Sequence, residues 1–321
     1  MTNPQPQMIP TTDVFPIEEE DVDRYLKKIK KPETTIVFFG SDSWSLPDLQ
    51  ALEESFEVTA VVTASNSPVA DYFKGPILTP NKFDSDFIAN HLSLLTCDLF
   101  VVASYGKIIP PELLEIPKYG SLNVHPSLLP RYRGPSPVPA TVLNGDKETG
   151  VTIIKMDAEI DHGSIITTRK ISLSGQEDFI TLINKLFQLG AKLLVEIIPD
   201  FIKGKVKLRQ QDHKKAVYCE RMTKEDGYFE INTPPSPDQL DRMIRAYNPW
   251  PGVWTRWNGK IVKFLPKSVT LSETKGITKK ELYSSPTAQN DSRFLIQMES
   301  KKILSLKDFL NGYPDFPLKS I

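Results

Sequence analysis

Five short runs constrain the fold of this chain more than any other feature: "TTIVFFG" (34–40), "EVTAVVTA" (57–64), "CDLFVVASYG" (97–106), "GSLNVH" (120–125) and "VTIIKMD" (151–157). Each is nearly continuous in Val, Ile, Leu, Phe or Ala, with little polar alternation. Strands of that kind are buried on both faces, as in mainly parallel sheets covered by helices. The intervening "SWSLPDLQALEES" and "PPELLEI" read as crossover helices. A long helix is expected in 174–204. A Ser174–Glu177 capping box opens it, Phe179, Leu182, Ile183, Leu186 and Leu189 form its apolar stripe, and Gly204 stops it, with a kink or earlier end at Pro199. Residues 34–204 are therefore expected to form a Rossmann-like α/β domain.

Four segments make up the chain on this reading. Residues 1–33 are a polar, Pro-containing extension with one short charged helix candidate, "EEEDVDRYLKKIKK". After the α/β domain, the basic and weakly periodic stretch 205–227 is the expected linker. Residues 228–321 then form a second module. It opens on a Ser236–Gln239 capping box with Pro237 in the first helical position. Asn258-Gly259, between two strand-like runs, signals a hairpin, and "RFLIQME" and "KKILSL" add strands, so a small OB-like β-barrel is expected. Trp250 is expected to pack between the domains. Trp254 and Trp257 are expected to share a face, at least one of them in the core.

Charge divides the chain in the same place. Through residue 201 there are 17 Lys and Arg against 27 Asp and Glu; beyond it the counts are 22 and 13. A basic second half suits a polyanionic partner, because clustered cations release counterions from phosphate backbones. No apolar run is long enough to span a bilayer, and the polar, then acidic, N-terminus lacks a signal or transit pattern, so a soluble protein is expected. Two widely separated cysteines, Cys97 and Cys219, fit a reducing cytoplasm.

The chemistry is concentrated in "SLNVHPSLLPRYRG" (121–134). On a strand, Asn123 and His125 point to the same face, and Pro126 ends the strand with that pair at its carboxyl end, where open parallel sheets bind ligands. An Asn amide donates hydrogen bonds without losing a proton, which suits an oxyanion; His exchanges protons near neutrality. Together they fit acyl transfer better than phosphoryl or hydride transfer. The best acid to orient the His is Asp161, in the turn "MDAEIDHGSII". A dinucleotide site is disfavoured because "FFGSDSW" holds one Gly where a Gly-rich turn is needed. His162 has no short ligand spacing with His125, and no metal is expected.

These residues resemble a known family. Asn-x-His followed by Ser-Leu-Leu-Pro and, some way on, an Asp-x-Gly turn is similar to the signature of enzymes that formylate amines with 10-formyltetrahydrofolate. "IVFFGSDSW", "CDLFVVASYGKIIP", "NGDKETGVTIIKMD", "RAYNPWPGVW" and "KKILSLKDFLNG" resemble, in that order, segments of the methionyl-tRNA formyltransferases. The resemblance implies that Asn123, His125 and Asp161 are catalytic. It also implies that Ser127, Leu128, Leu129 and Pro130 line the folate pocket, that "VVASYGKIIP" receives the pterin, and that the partners are folate and initiator methionyl-tRNA. A monomer is expected. "RYRG" (131–134) is a candidate for contact with an anionic tail or the tRNA acceptor end. One departure stands out: these enzymes usually carry a long basic, glycine-containing loop after the second strand, and "VVTASNSPVADYFKGPILTP" is short. Contact with tRNA would then rest on the basic linker and second module. The nearest alternative is a formyltransferase acting on a nucleotide-linked amino sugar.

Overall fold

The structure is a computed structural model that describes residues 34–267 and 294–318; the N-terminal helix candidate lies outside them. In the first module, strands β1 (Thr35–Phe39), β2 (Glu57–Val62), β3 (Ile77–Leu78), β4 (Leu99–Val102), β5 (Ser121–His125), β6 (Glu148–Lys155) and β7 (Ser164–Ser172) form one sheet in the order β3-β2-β1-β4-β5-β6-β7. Pairing is parallel from β3 to β5 and antiparallel from β5 to β7. Burial explains the unbroken apolar runs. In β1, Ile36 and Phe38 join the core on one side of the sheet, while Val37 and Phe39 join the core on the other.

Helices α1 (Leu46–Ser55), α2 (Pro68–Tyr72), α3 (Ser85–Leu95), α4 (Pro111–Leu114), α5 (Pro137–Asn144) and α6 (Phe179–Ile202) connect and cover these strands. The start of α6 differs from expectation. Glu177 does accept from the Ser174 amide and hydroxyl, but it also accepts from the Gly175 amide, and Gly175 has φ +86°. That backbone cannot continue as a helix, so the contact closes a loop. Asp178, accepting from the Thr181 amide, is the true cap. Pro199 sits inside the last turns and the helix runs through it to Ile202, with Gly204 at φ +67° just beyond.

One buried group is unusual. Asp48, in the first turn of α1, is fully buried, neither carboxyl oxygen has a hydrogen-bond partner, and burial raises its pKa well above 3.8. Between 3.8 and that raised value the unfolded chain is ionised while the folded chain keeps the proton, so folding stability falls as pH rises through this window. The Asp48→Asn variant is expected to lose that slope: relative to the parent, its Tm should improve steadily from about pH 4 towards neutrality. Tm profiles of the two proteins that run parallel would refute the assignment.

The second module contains α7 (Pro237–Tyr247), strands β8 (Val253–Trp257), β9 (Lys260–Pro266), β10 (Phe294–Met298) and β11 (Ile303–Ser305), and α8 (Leu306–Gly312). The capping box at Ser236 and Gln239 forms as expected, and Asn258 and Gly259 take φ +48° and +74° between β8 and β9. The four strands pair antiparallel in the order β11-β10-β9-β8, so among the described residues the sheet is open between its first and last strands. Trp257 packs edge-on against Tyr313 and Phe316. Trp254 lies against Tyr228 instead, because residues three apart on a strand face opposite sides. Trp250 is 52% exposed and does not fill the domain boundary. Contact between the modules runs through α7: Arg242 donates to the Leu143 carbonyl and Arg245 to that of Glu177.

Candidate active site

The chain adds strands outward in one direction from β1 to β3 and in the other from β4 onward, so the strand order reverses between the parallel neighbours β1 and β4. Ligands of open α/β sheets sit at such a switch point, beyond the carboxyl ends of the strands. A cavity of about 470 Å³ occupies this place. Asp42 and Trp44 follow β1 into it, Ser104 to Ile109 follow β4, and Asn123 and His125 enter from the end of β5. Its area is mostly apolar, with Val138, Ile183 and Phe187 among its walls. Ser104 donates to the Asp42 carboxylate. Burial nevertheless raises the Asp42 pKa, against the opposing effect of that hydroxyl and of the Trp44 and Ser45 amides.

Asp161 joins the pair from the loop between β6 and β7. Its backbone is left-handed, φ +50°, a conformation Asp tolerates better than most residues. Gly163 closes the turn, where a Cβ would lie 1.9 Å from the Lys155 carbonyl oxygen, so only Gly fits. A Gly163→Ala variant is expected to lose about 2 kcal/mol or more of stability, read from denaturant midpoints. Both carboxylate oxygens of Asp161 are engaged: Oδ1 accepts from Asn123 Nδ2 at 3.0 Å and Oδ2 from the Gly134 amide at 2.7 Å.

The two ring nitrogens of His125 have different surroundings. Nε2 lies 2.8 Å from the Tyr132 carbonyl, an acceptor only, so Nε2 carries a proton. In the neutral ring Nδ1 therefore keeps its lone pair, and it lies 3.5 Å from Asp161 Oδ2. The arrangement supplies an amide donor, a base and an adjacent negative charge at one end of an apolar cavity. That set suits proton transfer and oxyanion stabilisation during attack on a carbonyl carbon.

Other residues singled out in the sequence lie elsewhere. Ser127, Leu128, Leu129 and Pro130 are not among the cavity residues. They form a turn stitched to β6: Thr152 donates to the Ser127 carbonyl and accepts from the Leu129 amide, and Leu129 packs on Ile154 and Ile165. In "RYRG", only Gly134 lines the cavity; Arg131 pairs with Asp146, while Arg133 is almost completely buried and its guanidinium is bonded to Gln211, Tyr218 and His213. His162 binds Asp157 and stacks on His213 at 4.0 Å. Among the described residues no group of three His, Cys, Asp or Glu is placed to hold a metal. Burial pushes the Cys97 thiol up to about 12 and Cys219 to about 11, so neither is poised as a nucleophile.

Val102 and Ser104 to Ile109, from the segment expected to receive the pterin, do line the cavity, whereas sequence reasoning missed Asp42, Arg221 and Met222. Asp42 was within reach, since it closely follows a buried parallel strand. Arg221 and Met222 arrive from the expected linker, which no local pattern places there. A more polar cleft of about 650 Å³, with Asp146, Lys147, Arg242 and Arg245 in its walls, lies between the modules and holds none of the candidate residues.

Comparison with known proteins agrees with this geometry. The formyl transferase family matches residues 18–198, and the formyl transferase C-terminal domain matches residues 221–314. A methionyl-tRNA formyltransferase of Chloroflexus aggregans is 35% identical over 300 residues, covering 86% of this chain and 96% of that protein. Among solved structures, a 4-N formyltransferase from Francisella tularensis superposes with a TM-score of 0.59 at 19% identity, covering 70% of this chain and 93% of that one. HypX from Aquifex aeolicus in complex with tetrahydrofolic acid gives 0.56 at 17% identity, over 73% of this chain and 38% of that one. These two structures share the fold. The match to both family domains in order, and a relative of that identity along nearly its whole length, establish that the chain belongs to the formyl transferase family, in its methionyl-tRNA formyltransferase branch.

Proposed function

We propose that this protein transfers the formyl group of 10-formyltetrahydrofolate to the α-amino group of methionine on initiator tRNA, with Asn123, His125 and Asp161 as catalytic residues. The observation that carries the acceptor is identity of 32–38% to methionyl-tRNA formyltransferases over 73–88% of the chain, against 16–19% to structures named as sugar or likely sugar N-formyltransferases, which cover 69–72% of it. The cavity suits the folate. A mostly apolar slot at the switch point receives a flat heterocycle, and its polar groups converge at the reacting end.

Folate supplies the formyl carbon, and the residues act around it. Asn123 commits one amide N–H to Asp161 and keeps the other for the oxygen that gains negative charge as the amine attacks. His125 Nδ1 takes the proton from the attacking nitrogen and returns it to the departing one. Asp161 faces the resulting imidazolium. We assign residues 34–204 to catalysis and 205–227 to the connection. Residues 228–321 are assigned to tRNA contact, which the excess of Lys and Arg beyond residue 201 supports. Among the described residues no helix is long and apolar enough to cross a membrane. We place the enzyme in the cytoplasm, as a monomer.

The test is initial-rate transfer from labelled 10-formyltetrahydrofolate to methionine-charged initiator tRNA beside a nucleotide-linked amino sugar. Transfer to the tRNA, weakening steeply with added salt, is the expected result. Transfer to the sugar alone would overturn the acceptor and keep the chemistry.

A further inference from the structure

The stretch 205–227 is more than a connection, because it packs against the candidate catalytic turn. Arg209 pairs with Ile165 through both backbone groups, the Arg133 amide donates to the Val217 carbonyl, and the Cys219 amide donates to the Arg133 carbonyl. Gln211 is held between these two attachments and is 5% exposed. Its Nε2 donates to the carbonyls of Asp161, at 2.8 Å, and Gly163, at 2.7 Å. Its Oε1 accepts from Arg133 Nε at 3.1 Å and from a terminal guanidinium nitrogen at 2.7 Å. The orientation of this amide is not free to invert. A guanidinium only donates and a carbonyl only accepts, so the Gln211 oxygen must face Arg133 and its nitrogen must face the turn.

We propose that Gln211 is a positioning residue for formyl transfer: it grips both ends of the left-handed Asp161–Gly163 turn and holds the carboxylate against Asn123 and His125, with buried Arg133 as its anchor. This rests on the catalytic roles assigned above. Arg133 suits the anchoring task. Its remaining bonds go to Tyr218 Oη at 3.1 Å and His213 Nδ1 at 2.9 Å, both from the same segment as Gln211. The residue after it, Gly134, gives its amide to Asp161 Oδ2, and a Cβ there would lie 2.3 Å from the Cys219 carbonyl oxygen. One short loop thus binds Asp161 directly through Gly134 and indirectly through Arg133 and Gln211. The site is complete only when the segment joining the modules is in place.

Two variants separate positioning from mere filling. Gln211→Glu keeps an oxygen for Arg133 but turns a second oxygen towards two carbonyls; Gln211→Met removes both halves. Gln211→Glu is expected to keep a Tm close to the parent and to lose turnover by about 10- to 100-fold, with KM for folate and for tRNA changed less than about threefold. Its Gly134 amide proton resonance should move upfield as the bond to Asp161 lengthens. Gln211→Met should show the same kcat loss with a lower Tm. Parental kcat in Gln211→Glu, or in a folded Gln211→Met, would overturn the proposal, as would an unmoved Gly134 resonance. Because that resonance needs no substrate, absence of turnover in the parent enzyme would sink the functional reading and still leave Gln211 decidable.

Discussion

Replacing His125 with Ala is expected to lower kcat for formyl transfer by a factor of ~10² to 10⁴ and to leave both KM values within a few-fold. The ring is 4% exposed, and its Nε2 is committed to the Tyr132 carbonyl, so the tautomer is set before substrate arrives. The neutral ring then presents Nδ1 as a base beside the Asp161 carboxylate. An amine nucleophile must lose a proton to become an amide, and the leaving folate nitrogen must gain one. Without the imidazole, water would have to carry both transfers. Binding should suffer little, because the apolar walls of the cavity are untouched. The check is steady-state kinetics on a variant whose Tm and far-UV spectrum show a folded chain. A kcat within about threefold of the parent would remove His125 from the mechanism.

What the sequence made legible follows from how local each signal is. The runs at 34–40 and 97–106 declare their fold because burial on both faces leaves no polar position. The period of two along "SLNVH" is enough to bring Asn123 and His125 to one side. Asp161 is legible as an acid in a turn, but its two donors are not, since Gly134 and Asn123 reach it only through the fold. The Ser174–Glu177 pattern misleads for a physical reason: the side-chain contact forms, yet Gly175 turns the backbone left-handed and the helix waits for Asp178. Arg133 was harder still. In sequence it is one of two arginines beside a tyrosine, suited to an anion. Its partners Gln211, His213 and Tyr218 lie some 80 residues away, and only the return of the linker across the sheet buries it.

Asp161→Asn is expected to be as damaging as Asp161→Ala or worse, each lowering kcat by about 10³. Asn matches the parent side chain in shape and has one acceptor oxygen where two are needed. Asn123 Nδ2 and the Gly134 amide both point donors at this carboxylate. Whichever way the new amide turns, its NH₂ group meets one of them donor to donor. If it faces Asn123, the Asn123 amide is driven to rotate and its remaining N–H leaves the direction it holds in the parent. If it faces Gly134, the loop bearing Arg133 is pushed away and the anchor of Gln211 moves with it. In both cases the imidazolium formed at His125 loses its facing charge. Asp161→Ala leaves the same donors unmet without opposing them, which is why the isosteric change is not the milder one. Single-turnover rates with enzyme in excess of formyl donor and charged tRNA measure the chemical step alone. An Asp161→Asn enzyme retaining more than about a tenth of the parental rate would mean that the carboxylate serves the turn and not the reaction.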